Sequence, residues 1–93
     1  MLVHIVLARF PNPADADEAA RLILELPAKI DVIRSLSIGR DVLHSERSYD
    51  LGWIVEMDSE EDLQTYIVHP DHKTVAAWIT EHRSDIAACD FLR

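Results

Sequence analysis

The residues that could do chemistry are densest in one short segment, from Tyr66 to His72. It contains the phenol of Tyr66 and the imidazoles of His69 and His72. A neutral imidazole, with an unperturbed pKa of about 6.5, can remove a proton next to a carbonyl, and a phenol can donate a hydrogen bond to the enolate oxygen that forms. This pattern indicates proton transfer, with His72 as the base and Tyr66 as the oxygen partner. Ordinary core residues with one hydrogen bond each are the competing interpretation.

Residues of two strand-like segments are expected to face that pair. Alternation puts His4 on the same strand face as Val6, and it aims Trp53 and Val55 of a later strand in the same direction. We therefore predict that His4, Trp53, Tyr66 and His72 converge between a sheet and its helices. Val55 and His69 are added as further ligand contacts. Such a pocket suits a small carbonyl or phenolic metabolite.

A zinc site is the alternative use of the histidines, through His69-x-x-His72 with Asp71. Two histidines at this spacing share a metal only on a regular helix, and Pro70 follows His69 directly. His69 is expected to cap the helix that begins there. We predict no metal and no other cofactor. Cys89 alternates with Ala88 in the last strand and is expected to be a small buried residue rather than a nucleophile.

Length, composition and net charge limit the number of domains and the kinds of partner. The 93 residues are 48% hydrophobic and 28% charged, which predicts one domain over residues 1–93. Nine Lys and Arg against 17 Asp and Glu leave a net charge of −8, which argues against nucleic acid and anionic membranes as partners. Two glycines leave no Gly-rich phosphate loop, and no segment approaches the roughly 18 apolar residues of a membrane span. The single Cys favours a reducing cytoplasm.

The hydrophobic periodicity predicts the elements that position the candidate residues. Strand-like alternation and helical spacing occur in the order β-α-β-β-α-β, with the last helical region interrupted at His69-Pro70. The expected ranges are strands at 2–10, within 33–42, at 49–57 and at 85–92, and helices at 13–26, from 59 and at 70–82. This order is the ferredoxin-like arrangement, an antiparallel sheet with helices on one face.

Helices cover one face of the predicted sheet, so apolar residues on the other face must be buried in another way. Val3, Ile5 and Leu7 lie on that face of the first strand. In so short a chain the simplest cover is another copy, so we predict a homodimer whose two sheets pack face to face. A monomer with an ordinary apolar surface patch is the alternative.

Several motifs together resemble the stress-responsive dimeric α/β-barrel (Dabb) family over essentially the whole chain. They are His4-Ile5-Val6-Leu7-x-x-Phe10, Gly39-Arg40-Asp41-Val42, Tyr49-Asp50-Leu51, Tyr66-x-x-His69-Pro70-x-His72 and Asp90-Phe91. The resemblance implies a ferredoxin-like protomer that forms a two-fold dimer. The family is largely of unknown biochemical role and is described as stress-responsive.

The resemblance also implies roles for the site residues. The chain is similar to a plant polyketide cyclase of this family, which performs an intramolecular aldol condensation, and matching its motif places the acting His and Tyr at His72 and Tyr66 and a pocket histidine at His4. Trp53 stands where that cyclase has a histidine. Three functions remain open: a cyclase- or isomerase-like enzyme, a non-catalytic stress-related dimer, and a monooxygenase that uses no cofactor.

Overall fold

Four antiparallel strands and three α-helices make up the protein, whose computed structural model describes all residues from Met1 to Arg93. The strands are β1 (Leu2–Arg9), β2 (Ser35–Arg40), β3 (Leu51–Met57) and β4 (Asp85–Leu92), and the helices are α1 (Pro13–Leu24), α2 (Glu60–Val68) and α3 (Pro70–His82). The sheet order is β2-β3-β1-β4. The predicted ferredoxin-like fold is confirmed.

Helix α1 begins where the sequence predicts and ends two residues earlier than predicted. Asn12 caps it, since its side-chain oxygen accepts a hydrogen bond from the Ala14 N–H at 3.0 Å, and Pro13 occupies the first helical position. Pro27 has no N–H and disfavours helical geometry at Leu26, so the chain leaves the α-helix at Leu24 and makes a short 3₁₀ turn over Leu26–Ala28.

Two capping side chains set the positions of α2 and α3. The Ser59 hydroxyl accepts a hydrogen bond from the Asp62 N–H at 3.2 Å at the start of α2. His69 is extended, with φ −62° and ψ 135°, and its Nδ1 accepts from the Asp71 N–H at 3.1 Å. The expected break at His69-Pro70 is therefore present, and it separates the two helices that carry Tyr66 and His72.

Strand register assigns the sheet residues to two faces. His4 lies opposite Val55 on one side and Asp90 on the other, and Val6 lies opposite Trp53 and Ala88. Residues opposite one another share a face. This face, which we call the inner face, supplies Leu2, Val6, Ala8, Leu51, Trp53, Val55 and Met57 to one buried cluster with helix residues such as Ala19, Ile23, Tyr66 and Ile79.

The other face, which we call the outer face, has no helix over it. Leu7, Ile54 and Phe91 remain 39–43% exposed there. Cys89 pairs with Ile5 on this face and is exposed, so the expectation of a buried Cys89 is wrong for the single chain. The alternation around Cys89 correctly indicates a strand. No other part of the chain covers the outer face, on which Cys89 lies.

Candidate functional site

A cavity of about 450 Å³ lies between the inner face of the sheet and helix α3. Eleven of its 15 lining residues are hydrophobic. The sheet contributes His4, Val6 and Trp53, α2 contributes Tyr66, and α3 contributes His72, Val75, Ala76, Ile79 and Thr80. The exposed lining residues Thr80, Ile86 and Ala88 place its opening between the C-terminal half of α3 and the edge strand β4. The volume is typical of small-molecule sites, which measure roughly 300–1,000 Å³.

His72 is held in one tautomer by the chain. Its Nδ1 lies 3.1 Å from the Ile67 carbonyl oxygen, and a carbonyl only accepts, so Nδ1 carries the proton and donates. The second ring nitrogen, Nε2, is then a proton acceptor on a ring that lines the cavity. Burial lowers the pKa of His72 from its ordinary 6.5, and the Ile67 hydrogen bond only partly opposes this. His72 is therefore neutral at neutral pH, as a general base requires.

Tyr66 lies between the two cavity histidines. Its ring centroid is 4.3 Å from that of His72 and 5.7 Å from that of His4. Burial raises the pKa of its phenol to about 12, so the hydroxyl keeps its proton and acts as a donor. No group of the chain accepts from this hydroxyl, and every fully buried polar side-chain atom has a partner, so the oxygen borders the open cavity.

His4 is positioned by a carboxylate from the adjacent strand. Its Nδ1 makes a hydrogen bond to Asp90 Oδ1 across the β1–β4 pairing. The His4 side chain is 13% exposed and that of Asp90 is 38% exposed, so the pair reaches from the cavity wall to the sheet edge. A carboxylate on Nδ1 leaves Nε2 as the free ring nitrogen, in the manner of the His–Asp pairs of many active sites. His4 lies edge-on to Tyr66, at an interplanar angle of 64°.

Two of the sequence-predicted contacts do not line the cavity. Val55 shares the inner face with Trp53 but is 1% exposed in the core. His69 uses Nδ1 to cap α3. The other histidines are also elsewhere: the His44 side chain is 73% exposed, whereas His82 is half-buried, with its ring stacked 4.0 Å from Trp78. No group of three or more His, Cys, Asp or Glu side chains could hold a metal ion.

Sequence reasoning missed the end of the cavity that is farthest from His72 and next to the opening. Arg83, Ile86, Ala87 and Ala88 line it there, together with Ile23 and Leu26 from the α1 region. Helical spacing was the available signal for Arg83, since residues 72, 76, 79 and 83 follow one another at intervals of three or four along one helix face.

No helix combines the length and hydropathy that a membrane span requires. No curated protein sequence matches the chain significantly. Solved structures do match. A dimeric ferredoxin-like protein of unknown function from Thermobifida fusca is 26% identical, with a TM-score of 0.87, over 99% of this chain and 90% of that one. A dimeric protein of unknown function and ferredoxin-like fold from Bacteroides fragilis is 25% identical, with a TM-score of 0.88, over 99% and 95%.

A hydroxynitrile lyase from Passiflora edulis shares the fold, with 13% identity and a TM-score of 0.88 over 99% of this chain and 92% of that one. The family profile of the Stress responsive A/B Barrel Domain, Dabb, matches residues 2–92. The fold, the strand order and the family match together show that this chain belongs to the Dabb family.

Proposed function

We propose that the cavity binds a small carbonyl or phenolic metabolite and catalyses proton transfer next to its carbonyl group, in a cyclase- or isomerase-like reaction. The observation that carries this proposal is the pairing of His72 with Tyr66. A neutral base and a protonated phenol lie ring to ring at 4.3 Å in a cavity whose other walls are mostly apolar. These are the two groups that enolate formation needs at one site.

The reaction begins with a carbonyl substrate whose oxygen accepts a hydrogen bond from the Tyr66 hydroxyl. His72 Nε2 removes a proton from the adjacent carbon, the C–H electron pair forms the enolate, and His72 becomes an imidazolium. In isomerisation the enolate is conjugated with a neighbouring C=C bond, His72 returns the proton to the far carbon of that bond, and the double bond shifts next to the carbonyl. In an aldol step the enolate carbon attacks a second carbonyl, and the proton on His72 neutralises the alkoxide. Both routes regenerate neutral His72.

Three features support these roles. The Ile67 carbonyl orients the His72 ring, so the base is held ready before the substrate binds. Desolvation keeps His72 neutral and Tyr66 protonated at the same pH. Asp90 holds His4 in one orientation beside Tyr66, where its ring limits the positions that the substrate carbonyl can take.

We also propose a homodimer in which the outer faces of two sheets pack together. Leu7, Ile54 and Phe91 form an apolar patch with Ile5 on a face that no helix covers. Such a patch in so small a domain is typical of an interface between copies. The solved relatives from T. fusca and B. fragilis are described as dimeric. The cavity lies on the opposite face of the sheet, so dimerisation leaves it available.

Exchange of α-protons with deuterium tests the catalytic proposal. The protein is incubated with 1-phenylpropan-2-one in D₂O, and loss of the α-proton signals is followed by NMR against an equal concentration of free imidazole. We expect the wild type to exceed imidazole, His72→Gln to lose about a hundredfold in rate and Tyr66→Phe about tenfold.

His44→Gln is the control for this experiment, since it changes an exposed histidine outside the cavity. Equal exchange by the wild type and His72→Gln, with far-UV circular dichroism showing both folded, would overturn the catalytic role. The non-catalytic dimer would then be the better interpretation.

A further inference from the structure

Arg83 is the one permanently charged side chain among the residues that line the cavity. It is half-buried at the end of α3, next to the opening between α3 and β4. The remaining lining residues are apolar, aromatic, or neutral and polar, apart from the two histidines. A positive charge beside a mostly apolar cavity attracts an anionic ligand more strongly than it would in water, because apolar surroundings screen charge less than water does.

The Arg83 guanidinium has no partner in the chain, although carboxylates are abundant. The protein has 17 acidic residues against nine basic ones. Six of those nine basic side chains lie within 4.0 Å of a carboxylate: Arg9, Arg21, Lys29, Arg34, Arg40 and Arg93. Arg83 makes neither an ion pair nor a side-chain hydrogen bond. Its donors therefore remain available to a ligand in the cavity.

We propose that Arg83 binds a carboxylate of the ligand, so that the substrates of this cavity are small carboxylic acids that carry their reactive carbonyl or phenol at the other end. This inference rests on the proposed function and names its substrate class. A guanidinium stays protonated and presents paired N–H donors that match the two oxygens of a carboxylate. One guanidinium neutralises one negative charge, which suits a carboxylate better than a phosphate dianion.

The position of Arg83 relative to His72 sets the shape of the ligand. Arg83 directly follows α3 and lies 11 positions after His72, so about 16 Å separate their backbones along the helix axis. The cavity extends between them along Ala76 and Ile79. A ligand that reaches both must be elongated, with its carboxylate near the opening, an apolar middle, and its acidic C–H next to His72.

Helix capping is the competing explanation for Arg83. Its backbone N–H donates to the Ile79 carbonyl at 2.8 Å, and a cation near a helix C-terminus is favourable. A lysine would serve that purpose equally well, and it would not reproduce the paired donors of a guanidinium. Arg83→Lys should therefore leave the free energy of unfolding unchanged, because the charge at the helix end is kept, and should lose part of the preference for a carboxylate.

The test uses two probes of equal size, 4-phenylbutanoate and 4-phenylbutanamide, at pH 7.5. Binding is measured by isothermal titration calorimetry and by the change in tryptophan fluorescence, since Trp53, one of the two tryptophans, lines the cavity. We expect the wild type to bind the acid at least tenfold more tightly than the amide. Arg83→Gln should remove this preference and leave the affinity for the amide within twofold. Arg83→Lys should keep part of the preference.

Arg47→Gln is the matched control, because Arg47 is exposed, has no carboxylate partner and lies outside the cavity. It should change the acid preference by less than twofold. Equal binding of acid and amide by the wild type, or a preference that survives in Arg83→Gln, would overturn the carboxylate assignment and leave the binding cavity intact. If neither probe binds the wild type at millimolar concentration, the ligand pocket itself fails, and the proposed function fails with it.

Discussion

The two faces of the sheet are built from the same strands but present different surfaces. On the inner face, His4 and Trp53 border a cavity that α2 and α3 complete. On the outer face, their strand neighbours Ile5 and Ile54 belong to an apolar patch without any cover in the chain. Because successive side chains point to opposite sides, one strand supplies both surfaces. The difference suggests that assembly and ligand chemistry are separable by single substitutions on neighbouring residues.

A charge on the outer face should produce the largest effect. We expect Ile5→Glu to prevent dimerisation and to lower the free energy of unfolding by roughly 3 kcal/mol, because an unpaired charge in an apolar interface lacks compensation. Light scattering should show twice 10.6 kDa for the wild type and 10.6 kDa for the variant. Leu24→Glu, on an exposed position of α1, should remain dimeric. A wild type that is monomeric at micromolar concentration would contradict the proposed interface.

Filling the cavity should affect ligand binding without affecting assembly. Ala76→Phe places a ring in the cavity, and we expect it to weaken binding of the carboxylate probe by more than tenfold while the mass stays dimeric. Ala77→Phe is the matched control, since Ala77 is exposed and does not line the cavity. Calorimetry and light scattering on the same samples measure both properties. Equal losses in the two variants would show that the ligand binds elsewhere.

Removing the carboxylate beside His4 should have a smaller effect on stability. We expect Asp90→Asn to lower the free energy of unfolding by about 1 kcal/mol, because a partly exposed hydrogen bond to a carboxylate becomes a hydrogen bond to a neutral amide. Urea denaturation measures this, and ¹⁵N shifts of the His4 ring report its tautomer. Asp31→Asn, at an exposed turn position, should change neither. An unchanged free energy of unfolding in Asp90→Asn would mean that the charge of Asp90 does not strengthen its contact with His4.

The pH dependence of stability should show the smallest effect, which comes from His72. Its pKa is lowered in the folded state, mainly by burial, so the unfolded chain binds the proton more readily. Stability is therefore retained above about pH 6.5 and falls as the pH drops from there through the lower folded pKa. Urea midpoints between pH 5 and 8 should show this fall in the wild type and less of it in His72→Asn. A parallel fall in both proteins would assign it to other groups.

Much of the fold could be predicted because its signals are local. Asn12-Pro13 and His69-Pro70 mark helix starts through capping and the missing proline N–H, and both helices begin there. The last strand has its predicted bounds, Asp85–Leu92. Helix α1 ends at Leu24 rather than Leu26. Pro27 has no N–H to donate, and its ring disturbs the preceding helical turn as well as the residue next to it.

The candidate site was less predictable, since two inward-facing residues of one strand have different surroundings. Trp53 and Val55 both lie on the inner face, but only Trp53 borders the cavity. His69 and His72 are three residues apart, yet one ring caps a helix and the other borders the cavity. The capping role of His69 has a local signal in the proline that follows it. The difference between Trp53 and Val55 has none, because it depends on which helix packs over each part of the sheet.

The sequence by itself determined the order of the elements, the residues on each sheet face and the helix caps, because alternation, proline and capping groups act over a few residues. Only the tertiary structure decided that Asp90 holds His4 and that the sheet and the helices leave a cavity next to His72. His4 and Asp90 are 86 positions apart in the chain, and the pairing of β1 with β4 brings them together. Contacts of this kind arise from packing between distant segments, which no short-range pattern records.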